Sequence, residues 1–304
     1  MTIRELQNEI LRLKKERGVL ILAHSYERHE IVEIADVVGD SYRLATAVKG
    51  AKEKTVLMCG VRFMAETVKI LAPEKRVLLS ERNAGCPMAD ELTPALLSAL
   101  QKKYPNAVTV AYINTTAKIK AMSDVCVTSS SAVKVLSRLP EEEILFVPDC
   151  NLGSYCAKQL PEKTFYYFDG GCPIHASAAE SDVLQAKSEH PNALLLVHPE
   201  CREEVARRAD FIGSTSGIMD FVRGSGHNEF IIGTENSIRE HLEYEFPQKR
   251  FYPLSKNFTC ADMRLTTLKS VFDCLTGGGE EIVLDEPLRL AAKKCIDRMI
   301  ELGG

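Results

Sequence analysis

Short apolar runs that end abruptly in polar residues recur along this chain at a nearly constant interval. The first series is Val19-Leu20-Ile21-Leu22-Ala23-His24, Ala107-Val108-Thr109-Val110-Ala111-Tyr112 and Leu194-Leu195-Leu196-Val197-His198, whose ends are offset by 88 and 86 residues. A second series, Asp36 to Ser41, Asp124 to Ser129 and Asp210 to Thr215, keeps those offsets. A third runs Val56 to Val61, Leu145 to Asp149 and Ile231 to Glu235, and a fourth Val77 to Leu79, Phe165 to Phe168 and Phe251 to Leu254. Each repeat therefore offers four short strands.

Between them lie segments of helical character, including Glu33 to Val38 leading into a turn, Ser131 to Leu139 and Asn236 to Phe246. Strands alternating with helices predict parallel βαβ units with both sheet faces covered. The expected division is residues 1–90, 91–176 and 177–304, each an α/β repeat with a four-stranded parallel sheet between helical layers. At the start, Thr2 and Glu5 make a capping box, and Ile3, Leu6, Ile10 and Leu13 form a helical stripe. Thr93 and Pro94 suit the N-cap and first position of a helix reaching Lys103. After Cys260 the pattern predicts that the cycle begins again, with a helix near Met263 to Leu275, a strand at Ile282 to Leu284 and a last helix from Pro287.

With 304 residues, 45% of them hydrophobic and 26% charged, the chain can bury a large core. A net charge of −4 supplies no basic footprint for nucleic acid. No apolar run approaches the roughly 18 residues of a membrane span, and the first residues lack a signal-peptide core, so a cytoplasmic protein acting on small molecules is expected. In that setting the ten cysteines read as reduced thiols or metal ligands rather than disulfides. Cys59, Cys126 and Cys201 in apolar strands or at their ends, and Cys274 and Cys295 on amphipathic helices, read as small hydrophobes.

Cys86, Cys172 and Cys260 differ, because each follows a loop and their spacing matches the repeat. One thiol per unit suggests three units meeting around one centre. Three thiolates suit zinc with an open position or a [4Fe–4S] cluster with one iron lacking a protein ligand, and spacing does not choose between them. Ligands of parallel sheets collect at the carboxyl ends of strands. Those ends supply His24 and Tyr26, Tyr112 and Asn114, and His198 and Glu200, with Ser41, Ser129, Ser214 and Thr215 before the following helices. Any one of these hydroxyls alone reads as an ordinary N-cap; recurrence in register points to cradles for an anionic substrate. An open metal beside acid and base groups predicts dehydration or condensation chemistry. The rivals are an aconitase-like hydro-lyase, a zinc-holding sensor without turnover, and an electron carrier, which would need a fourth thiolate.

The stretches Ile21 to Tyr26, Gly60 to Thr67, Ala84 to Ala89, Tyr112 to Thr116, Val127 to Ser129, Pro148 to Gly153, Gly171 to His175, Val197 to Cys201 and Gly213 to Ser216 together resemble the quinolinate synthase family. The resemblance implies a pseudo-threefold arrangement of three α/β domains around a [4Fe–4S] cluster. It further implies condensation of iminoaspartate with dihydroxyacetone phosphate to quinolinate, with loss of phosphate and two waters, and a functional link to an enzyme that produces iminoaspartate. By position, Cys86, Cys172 and Cys260 match the cluster ligands, and Tyr26, His24, Glu200 and Tyr112 match catalytic positions. Ser41, Met64, Asn114, Ser129, His198, Ser214 and Thr215 match the substrate pocket. Ser25 and Ser130-Ser131 depart from the family pattern, the run Met219-Asp220-Phe221-Val222 stands where some members carry a lysine a few residues after Thr215, and Cys150 reads as a non-ligand.

Overall fold

The computed structural model describes residues 1–303. In the first part of the chain β1 (Val19–His24), β2 (Val37–Gly39), β3 (Thr55–Cys59) and β4 (Arg76–Leu79) pair in parallel in the order β4-β3-β1-β2. Next, β5 (Val108–Tyr112), β6 (Val125–Val127), β7 (Glu143–Val147) and β8 (Thr164–Tyr167) form a second parallel sheet in the order β8-β7-β5-β6. The third joins β9 (Leu194–Val197), β10 (Phe211–Ile212), β11 (Glu229–Gly233) and β12 (Arg250–Pro253) in the order β12-β11-β9-β10. One strand order thus occurs three times.

Nearly unbroken apolar runs are what strands buried on both faces require. On one face of the first sheet Ile21, Ala23, Leu57, Cys59 and Leu78 pack with Ile10 and Leu13 of the opening helix, Ile3–Arg17. On the other, Leu22, Val56, Met58, Val77 and Leu79 pack with Leu44, Phe63 and Val68. The third sheet divides likewise, with Leu195, Val197 and Ile231 on one side and Leu196, Phe230 and Ile232 on the other.

The repeat extends to individual hydrogen bonds. Asp36, Asp124 and Asp210 each accept the backbone amide of the neighbouring first strand, from Ile21, Thr109 and Leu195 at 2.8, 2.8 and 2.7 Å. Lys75, Lys163 and Lys249 each donate to carbonyls left free at the end of a helical segment, those of Ala51, Leu139 and Val222 among them.

Three expectations are corrected. The helix before β2 lies at His29–Val32, because Val37 and Val38 already pair with Leu22 and Ala23. No fourth cycle follows Cys260: the strand expected at Ile282 to Leu284 is realised at β13 (Glu280–Glu281), which pairs antiparallel with β4. The first sheet therefore has five strands, not four. The expected helix near Met263 to Leu275 is interrupted: a 3-10 turn, Met263–Leu265, precedes a short helix, Leu268–Asp273, which runs on through a π turn, Cys274–Gly278. The final helix, Glu286–Glu301, lies chiefly against the helix Ala117–Ala121 and β6 of the second unit, with Cys295 Sγ 3.1 Å from Cys126 Sγ. Among the described residues no helix is long and apolar enough to cross a membrane.

Candidate functional site

The carboxyl ends of β1 and β5, and the turn after β9, open onto one cavity of about 240 Å3. It is lined by His24, Tyr26, Ser41, Met64, Tyr112, Asn114, Ser129, His198, Glu200 and Thr215, together with Cys86, Cys172 and Cys260. Of the residues singled out from the sequence, Ser214 alone is not in the wall. Its hydroxyl accepts Gly217 N at 3.2 Å and caps the helix Thr215–Gly224, the ordinary work of an N-cap serine. In the first repeat Asp40 takes the capping role by accepting Arg43 N, which leaves Ser41 free to donate to Asn114 Oδ1 at 3.1 Å.

His24 and His198 are held alike. Each accepts, on Nδ1, the backbone amide two residues on, from Tyr26 at 3.1 Å and Glu200 at 3.3 Å. That contact assigns the proton of a neutral ring to Nε2. Burial drives both imidazoles down to about 4, against the nearby charges of Asp40 and Glu200, so both are neutral at pH 7.

The sequence reading missed the residue at the centre of the site. His175 is buried, with Nδ1 2.7 Å from Glu200 Oε2 and Nε2 2.9 Å from Thr234 Oγ1. Thr234 in turn meets the Tyr26 hydroxyl at 3.1 Å, and that hydroxyl reaches Thr215 Oγ1 at 2.9 Å. On the far side Tyr112 and Ser129 share the cavity wall with Glu200. An unbroken run of polar contacts therefore links Thr215, Tyr26, Thr234, His175 and Glu200. Burial opposes charge on Glu200, but the neighbouring His198 and His175, the latter in contact with it, hold its carboxyl below the usual range. Burial, reinforced by that carboxylate, pushes both tyrosine phenols well above their usual value, so they stand protonated. Glu200, His175 and Thr234, a carboxylate, an imidazole and a hydroxyl in this order, have the arrangement of a proton-transfer triad, and Tyr26 lies beyond its hydroxyl. The one sequence signal for His175 was its place three residues after Cys172.

The three cysteines sit on loops tied down in the same way. Arg62 N, Cys150 N and Asn236 N, each at the start of a helix, donate to the carbonyls of Ala84, Gly170 and Phe258, each two residues before a cysteine. Burial pushes the Cys86 thiol up to about 12 and raises Cys172 and Cys260 as well. Thiols this basic ionise at neutral pH only when a cation binds them. Three soft donors from three loops on one cavity fit a thiolate-held metal centre. A second donor set, Cys172, His175 and Glu200, has its atoms within 4.8 Å of one another. There, however, the imidazole and carboxylate already bond each other. Cys150 lies outside the cavity wall.

The family model described as quinolinate synthetase A protein matches residues 8–301. A quinolinate synthase of Caldicellulosiruptor bescii is 48% identical over 303 residues, covering all of both chains. One of Clostridium perfringens is 45% identical over 99% of this chain and its own full length, and one of Clostridioides difficile is 43% identical over 99% of each. With near-complete coverage by the family model and by these relatives, the chain belongs to the quinolinate synthetase A (NadA) family.

Proposed function

We propose that this chain is a quinolinate synthase of NAD biosynthesis, a transferase that condenses iminoaspartate with dihydroxyacetone phosphate and releases phosphate and two waters. The observation that carries the reading is that one cavity gathers a thiol from each repeat and the chain of proton-transfer groups from Tyr26 to Glu200. Cys86, Cys172 and Cys260 would hold a [4Fe–4S] cluster, whose iron without a cysteine supplies Lewis acidity toward a substrate oxygen. Tyr26 moves protons between substrate and the Thr234–His175–Glu200 triad. Tyr112, in the same cavity wall as Glu200 and Ser129, serves the carboxylate end of that run. His24 and His198, neutral and carrying their protons on Nε2, donate hydrogen bonds to substrate oxygens. Ser41, Asn114, Ser129 and Thr215 orient the anionic groups, Met64 closes the apolar wall, and Ser214 acts through the helix it caps.

The threefold recurrence of strand order supports residues 1–90, 91–176 and 177–304 as pseudo-threefold-related units, with the last strand and helix returning to the first two. The setting is the cytoplasm, beside an enzyme that supplies iminoaspartate. Anaerobically reconstituted protein given dihydroxyacetone phosphate and iminoaspartate tests the reading: quinolinate and phosphate are expected in equal amounts. Dehydration of a polycarboxylate without quinolinate would instead favour the hydro-lyase.

A further inference from the structure

Each of the three cavity cysteines has its backbone amide taken by a side-chain carboxylate. Cys86 N donates to Asp90 at 3.2 Å, Cys172 N to Asp149 at 3.0 Å, and Cys260 N to Glu235 at 3.3 Å. Asp149 and Glu235 occupy matching places after the third strand of their repeats and are fully buried, whereas Val61 stands at that place in the first repeat and the exposed Asp90 substitutes. Both buried carboxylates also bind a helix N-terminus with their other oxygen: Asp149 accepts Leu152 N at 2.8 Å and Glu235 accepts Ser237 N at 2.8 Å. One side chain thus clamps the cysteine loop to the helix beside it.

Amide hydrogen bonds to cluster sulfur raise the reduction potential of an iron–sulfur centre, and nearby negative charge lowers it. We infer that Asp149 and Glu235 are positioning residues that hold the amides of Cys172 and Cys260 on carboxylate rather than cluster sulfur, keeping the centre hard to reduce. The inference rests on the reading that the cysteines hold a cluster, and it explains how a thiolate-held cluster is kept as a Lewis acid instead of an electron carrier.

Asp149→Asn and Glu235→Gln test it. An amide side chain has one acceptor oxygen; kept on the shorter helix bond, it turns NH2 toward the cysteine N–H and releases it. In anaerobic redox titrations followed by electron paramagnetic resonance, each variant shifts the midpoint positive and loses iron to a chelator several-fold faster than wild type. Asp90→Asn, where water replaces the exposed carboxylate, stays near wild type, and thermal melting of the cluster-free proteins records any purely structural effect. If Asp149→Asn does not fold, Glu235→Gln carries the test. Loaded variants with wild-type midpoints and wild-type iron release overturn the inference alone, whereas wild-type protein that takes up no cluster overturns the reading beneath it.

Discussion

His175 Nδ1 stands 2.7 Å from Glu200 Oε2, and both side chains are buried. A buried carboxylate is costly unless it is hydrogen-bonded and paired, and His175 supplies that partner. Through Thr234 the same imidazole reaches Tyr26, so the phenol and the buried carboxylate are joined through hydrogen-bonding side chains.

Tyr26→Phe and Glu200→Gln, each with wild-type iron content, are expected to lower kcat by roughly 10²–10⁴, the usual worth of a general acid or base. KM should change far less. Normal turnover in either loaded variant would remove that residue from proton transfer.

Thr234→Val keeps the shape of the link but removes the hydroxyl joining Tyr26 to His175. The expected loss is about tenfold to a hundredfold in kcat, with about 1 kcal/mol of stability from the lost bonds. A silent Thr234→Val, beside damaging Tyr26→Phe and Glu200→Gln, would show that the tyrosine and the carboxylate act separately.

The repeat made most of this legible in the sequence. Asp36, Asp124 and Asp210 mark one structural position three times, and the first-series ends His24, Tyr112 and His198 all reach the cavity. Comparing repeats finds what the three units share, however, and the triad is built from what they do not. The position three after each cysteine holds Ala89, His175 and Met263, and the position of Thr234 holds Gly60 and Pro148 elsewhere. The return of the chain to the first sheet was hidden for another reason: β13 is Glu280-Glu281, a two-residue edge strand with no apolar run to announce it. Ser214 was read by recurrence as a substrate group, while its local geometry makes it a cap.

Ser214→Ala should accordingly cost about 1 kcal/mol in stability, as for other N-cap serines, while KM moves less than about twofold. Denaturant unfolding and steady-state kinetics check the two halves. A large rise in KM with unchanged stability would place the hydroxyl on the substrate.

Glu27 gives the protein a pH dependence separate from its chemistry. Burial pushes its carboxyl up to about 8, against weaker opposition from Thr266, Arg264 and Arg28. A carboxyl with a raised folded-state pKa contributes stability that is fully present below about 4.5 and is lost as pH rises through about 8. Glu27→Gln cannot ionise, so it should match wild type near pH 4.5 and exceed it by on the order of 5 kcal/mol above pH 8. Urea unfolding of both proteins across that range reads the difference; parallel curves would show that Glu27 ionises freely in the folded state.

The most direct test of the central claim is iron and acid-labile sulfide analysis, with a visible spectrum, of anaerobically prepared wild type and of Cys86→Ser, Cys172→Ser, Cys260→Ser and Cys150→Ser. Wild type and Cys150→Ser are expected to hold about four iron and four sulfide per chain with thiolate-to-iron absorption, and the other three variants to lose most of both. Zinc in place of iron, no metal, or a cluster indifferent to Cys86, Cys172 and Cys260 would contradict the account.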